Sequence, residues 1–161
     1  IKTSFSRFFL LWTISGMWVS LCSMCALTAI SSSDGVVVNQ IFYVGLITFL
    51  VGLSIEILAD YQKTQFRKDP KNKDKFISSG LWARSKHPNY VGEITLWLGV
   101  AIISFSSLEG WQYVSLISPI FTYLLLVYIS GVPQLKESGL KKWGHLESYQ
   151  EYIKKTPTLI F

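Results

Sequence analysis

Charge is scarce in this sequence. Only 16% of its 161 residues are Asp, Glu, Lys or Arg, against roughly 25% in soluble domains, while half are hydrophobic. That combination excludes an ordinary water-soluble domain and reads as a membrane protein. Histidine occurs twice and cysteine twice, and no set of His, Cys, Asp or Glu stands at metal-ligand spacing, which argues against a metal site. The sequence has no GxGxxG and no GxxxxGK followed by Ser or Thr, so a nucleotide bound here would rest on neither a Rossmann nor a P-loop cradle. Cys22 and Cys25 form a CxxC, but inside an apolar stretch with no second pair. They read as small buried residues of one helix. The chain begins with Ile1 rather than Met, as expected of a fragment, a processed chain or the ordered part of a longer one.

Long apolar runs are what the sequence does have. Residues 8–30, 36–58 and 111–132 are each long enough for the roughly 20 residues that cross a bilayer. A shorter run, 94–107, reaches that length only if its polar lead-in from Pro88 is counted. The first run, preceded by Lys2 and Arg7, is too long for the apolar region of a signal peptide. The expectation is an all-α membrane bundle: a single domain over 1–161 with spans near 8–30, 36–58, 88–107 and 111–132, a polar loop at 60–87 and a polar tail at 133–161. The net charge of +5 would admit a nucleic-acid partner, but the bases are placed otherwise. All fifteen Lys and Arg lie in the N-terminal flank, in the 60–86 stretch or after Gly131, while the two other connectors carry only Asp34 and Glu109. With four spans those three basic regions share one side, the cytoplasmic or matrix side by the positive-inside rule.

The unusual chemistry collects in GLWARSKHPNYVGEITLWLG, residues 80–99. Pro88 suits the first position of a helix, and His87, ahead of a proline, is pushed out of the α region. Asn89 and Glu93, four apart, then share a face of that helix. Taken alone, His87 reads as a helix-entry residue and His145 as tail surface. Gly45 and Gly52, and likewise Gly92 and Gly99, are two turns apart and mark stripes where helices can approach closely. Asp60, Lys63 and Arg67 lie on one face of a continuation of the second helix, which should break at Pro70. Glu56 sits a turn inside the apolar run, where a carboxylate is costly; it should face the bundle and meet a partner such as a loop arginine. Cations to hold phosphates, with Trp82, Tyr90, Trp143, Tyr149 and Tyr152 to stack on a planar ring, describe a membrane-edge site for an anionic ligand.

These segments resemble a known family. GLWARSKHPNYVGE, preceded by ADYQKTQFRKDP at 59–70, is similar to the steroid 5-alpha-reductase-like C-terminal domain, in particular its bacterial and organellar branch of unknown function. RFFLLW at 7–12, ISPIFTYLLLVYISGVP at 117–133 and YIKKTP at 152–157 extend the likeness over nearly the whole chain. The resemblance implies a helical membrane fold that binds NADPH on its cytosolic face. It would reduce a carbon–carbon double bond conjugated to a carbonyl, or a related bond in a sterol or lipid. Lys63 and Arg67 match phosphate-holding positions. Trp82, Asn89 and Tyr90 match nicotinamide and ribose contacts, and Glu93 an acidic position near the nicotinamide. Asp60 matches an acidic site of the steroid reductases, and Lys142 and Tyr152 match cofactor-side positions in the tail. No catalytic residue is assigned by the motifs; Glu56, Tyr90 and Glu93 are the candidates for the acid. The sequence departs from the pattern in three ways. The relatives carry further transmembrane helices before the aligned part, Leu135 or Lys136 stands where sterol reductases have an acid, and Lys86 stands where the nearest relatives have Arg.

Two other functions compete. An isoprenylcysteine or phospholipid methyltransferase using S-adenosylmethionine has a related fold with an RHPxYxG-like loop, although the Asn89-Tyr90 pair and the QKxxFR helix favour the reductase. A non-catalytic subunit of a larger membrane complex is the third reading, and it would require protein partners.

Overall fold

The computed structural model describes residues 5–33 and 35–159, with the side chains of Arg7 and Leu11 left out. The expectations placed on Ile1, Lys2 and Asp34, and on the side chain of Arg7, lie outside the described residues. Among the described residues six α-helices follow in order: α1 (Phe5–Ile30), α2 (Gln40–Lys68), α3 (Pro88–Phe105), α4 (Ile117–Leu124), α5 (Val132–Trp143) and α6 (Glu147–Lys155). The described residues contain no strand, so the all-α class holds. Phe8–Ile30, Gln40–Lys68 and Gly110–Trp143 are long and apolar enough to cross a membrane. Their large apolar side chains, Trp12, Val19, Ile47 and Ile120 among them, are exposed, as suits helices surrounded by lipid. The protein is an integral membrane protein. α3, the fourth expected span, has 18 residues, and Asn89 and Glu93 in its first turns keep it below the same standard of length and composition.

Local chemistry explains the helix ends. α2 begins at Gln40, four residues later than the apolar run, because the Asn39 side chain caps it by accepting from the Phe42 N–H at 3.1 Å. It ends at Lys68, before Pro70. Pro88 opens α3, and His87 ahead of it sits at φ −140°, ψ 62°, outside the α region as expected.

The glycine stripes meet. A Cβ added to Gly52 would lie 2.7 Å from the Gly92 carbonyl oxygen, and one on Gly45 would lie 2.9 Å from that of Gly99. α2 and α3 are therefore antiparallel and touch backbone to backbone at two levels. On the other side, α1 meets α4 through polar atoms: the Ser118 hydroxyl donates to the Cys22 carbonyl, and Cys22 Sγ lies 3.2 Å from Thr122 Oγ1. Cys22 and Cys25 are both buried and free, in keeping with a packing role.

Two stretches carry structure that their composition does not report. The run 111–132 is not one regular helix. It starts as a 3-10 turn (Gly110–Leu116), becomes α4, and ends as a π segment (Leu125–Ile129) in which the Ser130 N–H reaches the Leu125 carbonyl at 2.9 Å. Pro119 has no N–H to continue an α ladder back to Ser115 and clashes with that turn, so regular helix begins only around it. The 133–161 tail is also more than a polar extension, since it folds into α5 and α6.

Candidate functional site

A cavity of about 780 Å³ opens between the extended end of α2, the loop after it, α5, α6 and the residues beyond. Its size falls within the roughly 300–1,000 Å³ of ligand pockets. Eight of its lining residues are Lys or Arg, and one, Asp74, is acidic. Aromatic side chains supply much of the remaining wall. Phe76 packs edge-on against Tyr149 at 5.0 Å and Trp143 at 6.1 Å, and tilted against Tyr152 at 5.4 Å.

Trp82 is the fixed point. It is buried, and its indole N–H donates to the Ala59 carbonyl at 3.0 Å, which ties the loop to α2. The Lys63 ammonium lies over its ring, 5.0 Å from the centroid. From the far end of the chain the Tyr152 hydroxyl donates to the Trp82 carbonyl at 2.8 Å. Burial pushes that hydroxyl up to about 12, so it keeps its proton and remains a donor. The loop and the tail are joined again where the Lys86 N–H donates to the Pro157 carbonyl at 3.0 Å and the Lys86 ammonium to the Ile153 carbonyl at 3.1 Å. Burial, and then the nearby Lys136, push the Lys86 ammonium down. The Trp143 indole donates to the Asp74 carbonyl at 2.6 Å, and the Lys142 ammonium is 4.0 Å from the Asp74 carboxylate.

The residues singled out from the sequence fall into two groups. Lys63, Arg67, Trp82, Lys142 and Tyr152 all line the cavity. Asp60 lies elsewhere, beside Glu56 in a shallow surface depression along α2. Glu56, Asp60 and Glu93 are close enough for their charges to act on one another, and Tyr90 feels Glu93 and Asp60. Among the described residues Glu56 has no ion pair, contrary to the expected loop arginine. Its helix turns this level toward Gly92, where an added Cβ would lie 2.8 Å from Glu56 Cβ. Arg67 is in the cavity wall and Arg84 is exposed. Asn89 keeps its Oδ1 buried and without a partner among the described residues. His145 is exposed, as expected of tail surface.

A cationic, aromatic cavity is thus fastened to the end of a membrane helix pair. Residues 1–156 match the family described as Protein of unknown function (DUF1295). The chain belongs to that family. Among curated proteins it is 31% identical over 115 residues to the probable O-methyltransferase ustE of Ustilaginoidea virens, covering 62% of this chain and 40% of that protein. It is 28% identical over 113 residues to 3-oxo-5-alpha-steroid 4-dehydrogenase 1 of Bos taurus, covering 70% of this chain and 38% of the relative. With the type 2 enzyme of Homo sapiens the figures are 26% over 131 residues, 79% and 44%. The chain thus spans about two fifths of the length of the curated relatives it matches. No solved structure matches it.

The chain is therefore a steroid 5-alpha-reductase-like member of the DUF1295 family. Within this DUF1295 chain, sequence reasoning passed over Lys86, Lys136 and Phe76 as site residues, and it assigned His87 to helix entry only. His87 and Lys86 lie within the motif already in view. Phe76 carried no local signal, and Lys136 was in view only as a departure from the family pattern; the return of α5 and α6 brings both to the cavity.

Proposed function

We propose that this chain forms the cofactor-holding part of an NADPH-dependent membrane reductase acting on a double bond in a steroid- or lipid-like substrate. The cavity itself carries the reading: eight cations against one carboxylate, set among aromatic rings, suit a ligand with several phosphates and planar bases. Asn89, matched to a cofactor contact by the family likeness, does not line the cavity, and its buried Oδ1 has no partner among the described residues. When bound, NADPH would supply the hydride. Lys63, Arg67 and Lys142 would hold its phosphates, and Trp82 and Tyr152 would wall the site against water. Glu56, Tyr90 and Glu93, gathered on the α2–α3 side outside the cavity, would hold the proton for the substrate. We further infer four spans over a single domain, with α3 as the third and the cavity on the cytoplasmic or matrix side, from the one-sided placement of the bases.

The test is a thermal-shift titration of detergent-purified protein with NADPH, NADH and S-adenosylmethionine. Stabilisation selective for NADPH should grow with ligand concentration. Arg67→Ala should weaken it roughly 10- to 100-fold through loss of a charged contact. Equal affinity of wild type and variant would remove the reading. The likeness to an O-methyltransferase supports a second reading, methyl transfer to a lipid, and selective stabilisation by S-adenosylmethionine would establish it. No response to any of the three would leave a structural subunit held by partner proteins.

A further inference from the structure

We propose that His87 is a ligand-binding residue of the cavity, presenting a neutral Nε2–H donor to an acceptor oxygen of the anionic ligand. This rests on the cavity being an anion site, as in the reading above. His87 lines the cavity yet is only 9% exposed, and its ring stacks on Tyr90 with centroids 5.4 Å apart and planes 17° from parallel. Its Nδ1 is sealed from solvent and has no hydrogen-bond partner among the described residues. Nε2 is not sealed in this way, so it is the nitrogen left to face the open space that the ring lines.

The environment then selects the tautomer. A buried N–H without an acceptor is rarer in proteins than an under-used lone pair, so the proton belongs on Nε2 and the lone pair on Nδ1. A second proton is opposed by burial, then by Lys86 and by Lys63, which together push the imidazole down to about 4. Tyr90 contributes its ring face. At neutral pH His87 therefore adds direction to the cavity rather than a further positive charge: one fixed donor among mobile ammonium groups. A phosphate or carbonyl oxygen is the partner such a donor fits.

The chain has two histidines, and His145 is exposed, so His145→Gln leaves His87 as the sole imidazole for ¹⁵N NMR of the detergent-solubilised protein. The expected spectrum shows a protonated Nε2, an unprotonated Nδ1 and no titration between about pH 5 and 8. A ring that titrates in that window, or carries its proton on Nδ1, overturns the proposal. NADPH, and separately inorganic pyrophosphate, should then shift Nε2 and leave Nδ1 in place. If NADPH stabilises the protein without moving Nε2, the proposal fails and the NADPH reading stands. If pyrophosphate alone binds and shifts Nε2, the NADPH reading fails and the proposal stands; silence from both probes ends both. In variants, His87→Gln places an amide nitrogen where Nε2 lay and should hold affinity within about threefold, whereas His87→Asn places it where Nδ1 lay and should lose about tenfold. Equal losses in the two would show a packing role instead.

Discussion

The seam between α2 and α3 and the cavity beside its end are built in opposite ways. The seam is chiefly backbone against backbone: Gly45 faces Gly99 and Gly52 faces Gly92, with main-chain atoms of the facing helix the nearest neighbours at both levels. The cavity is held by side chains reaching carbonyls far along the chain, Trp82 to Ala59 and Tyr152 to Trp82. A seam of this kind tolerates nothing added, because a backbone cannot move aside. A set of single hydrogen bonds can lose a member and keep most of its shape. Steric fit sets the first region, and directed polar contacts set the second.

Substitutions should separate the two. Gly92→Leu is expected to have the largest effect, since the new Cβ would meet the Gly52 carbonyl and Glu56. Overpacking against main chain should cost about 3 kcal/mol or more, read as a large fall in melting temperature in detergent or as failure to insert. A Gly92→Leu protein as stable as wild type would mean that the helices can separate freely. Tyr152→Phe comes next. It removes the donor to the Trp82 carbonyl and should cost about 0.5–1.5 kcal/mol, with weaker NADPH binding, as measured by parallel melting and titration. Loss of stability on the scale of the glycine variant would erase the distinction drawn here. Lys141→Ala should change least. Its pair with Glu137, 2.6 Å long, is exposed one turn away on the same helix and contributes little in water, so melting temperature and NADPH affinity should match wild type.

The same contrast decides what could be read from the residues. The seam was legible because a packing stripe leaves a spacing, and Gly45, Gly52, Gly92 and Gly99 carry it within two short segments. Pro88 and Pro70 likewise act on their own neighbours and set the helix ends they were expected to set. Of the cavity, Lys63 and Arg67 were visible as one helix face, Trp82 as part of the motif and Trp143, Tyr149 and Tyr152 as aromatics of the tail, while Lys142 entered through the family likeness. Phe76 was not visible, and Lys136 was marked only as a departure from the family pattern, because nothing in their own windows says that α5 and α6 fold back. Asp60 shares a helix face with Lys63 by spacing, yet it lies in the depression with Glu56. One turn of difference carries a residue from the cavity to the acidic side. The broken course of 110–129 was hidden for another reason: apolarity reports membrane depth and is silent on whether the backbone there is 3-10, α or π.

The tail's grip on the loop has a consequence for how the molecule comes into being. The bonds that close the cavity join residue 82 to 152 and residue 86 to 157, pairs that are far apart in synthesis. A ribosome that has already delivered α1 through α4 to the bilayer has placed the helix seam but not the site. Contacts between distant parts of a chain form late, since the intervening loop must first be closed. The nascent protein therefore passes through a period in which Trp82, Phe76 and the loop lysines are uncovered beside the membrane.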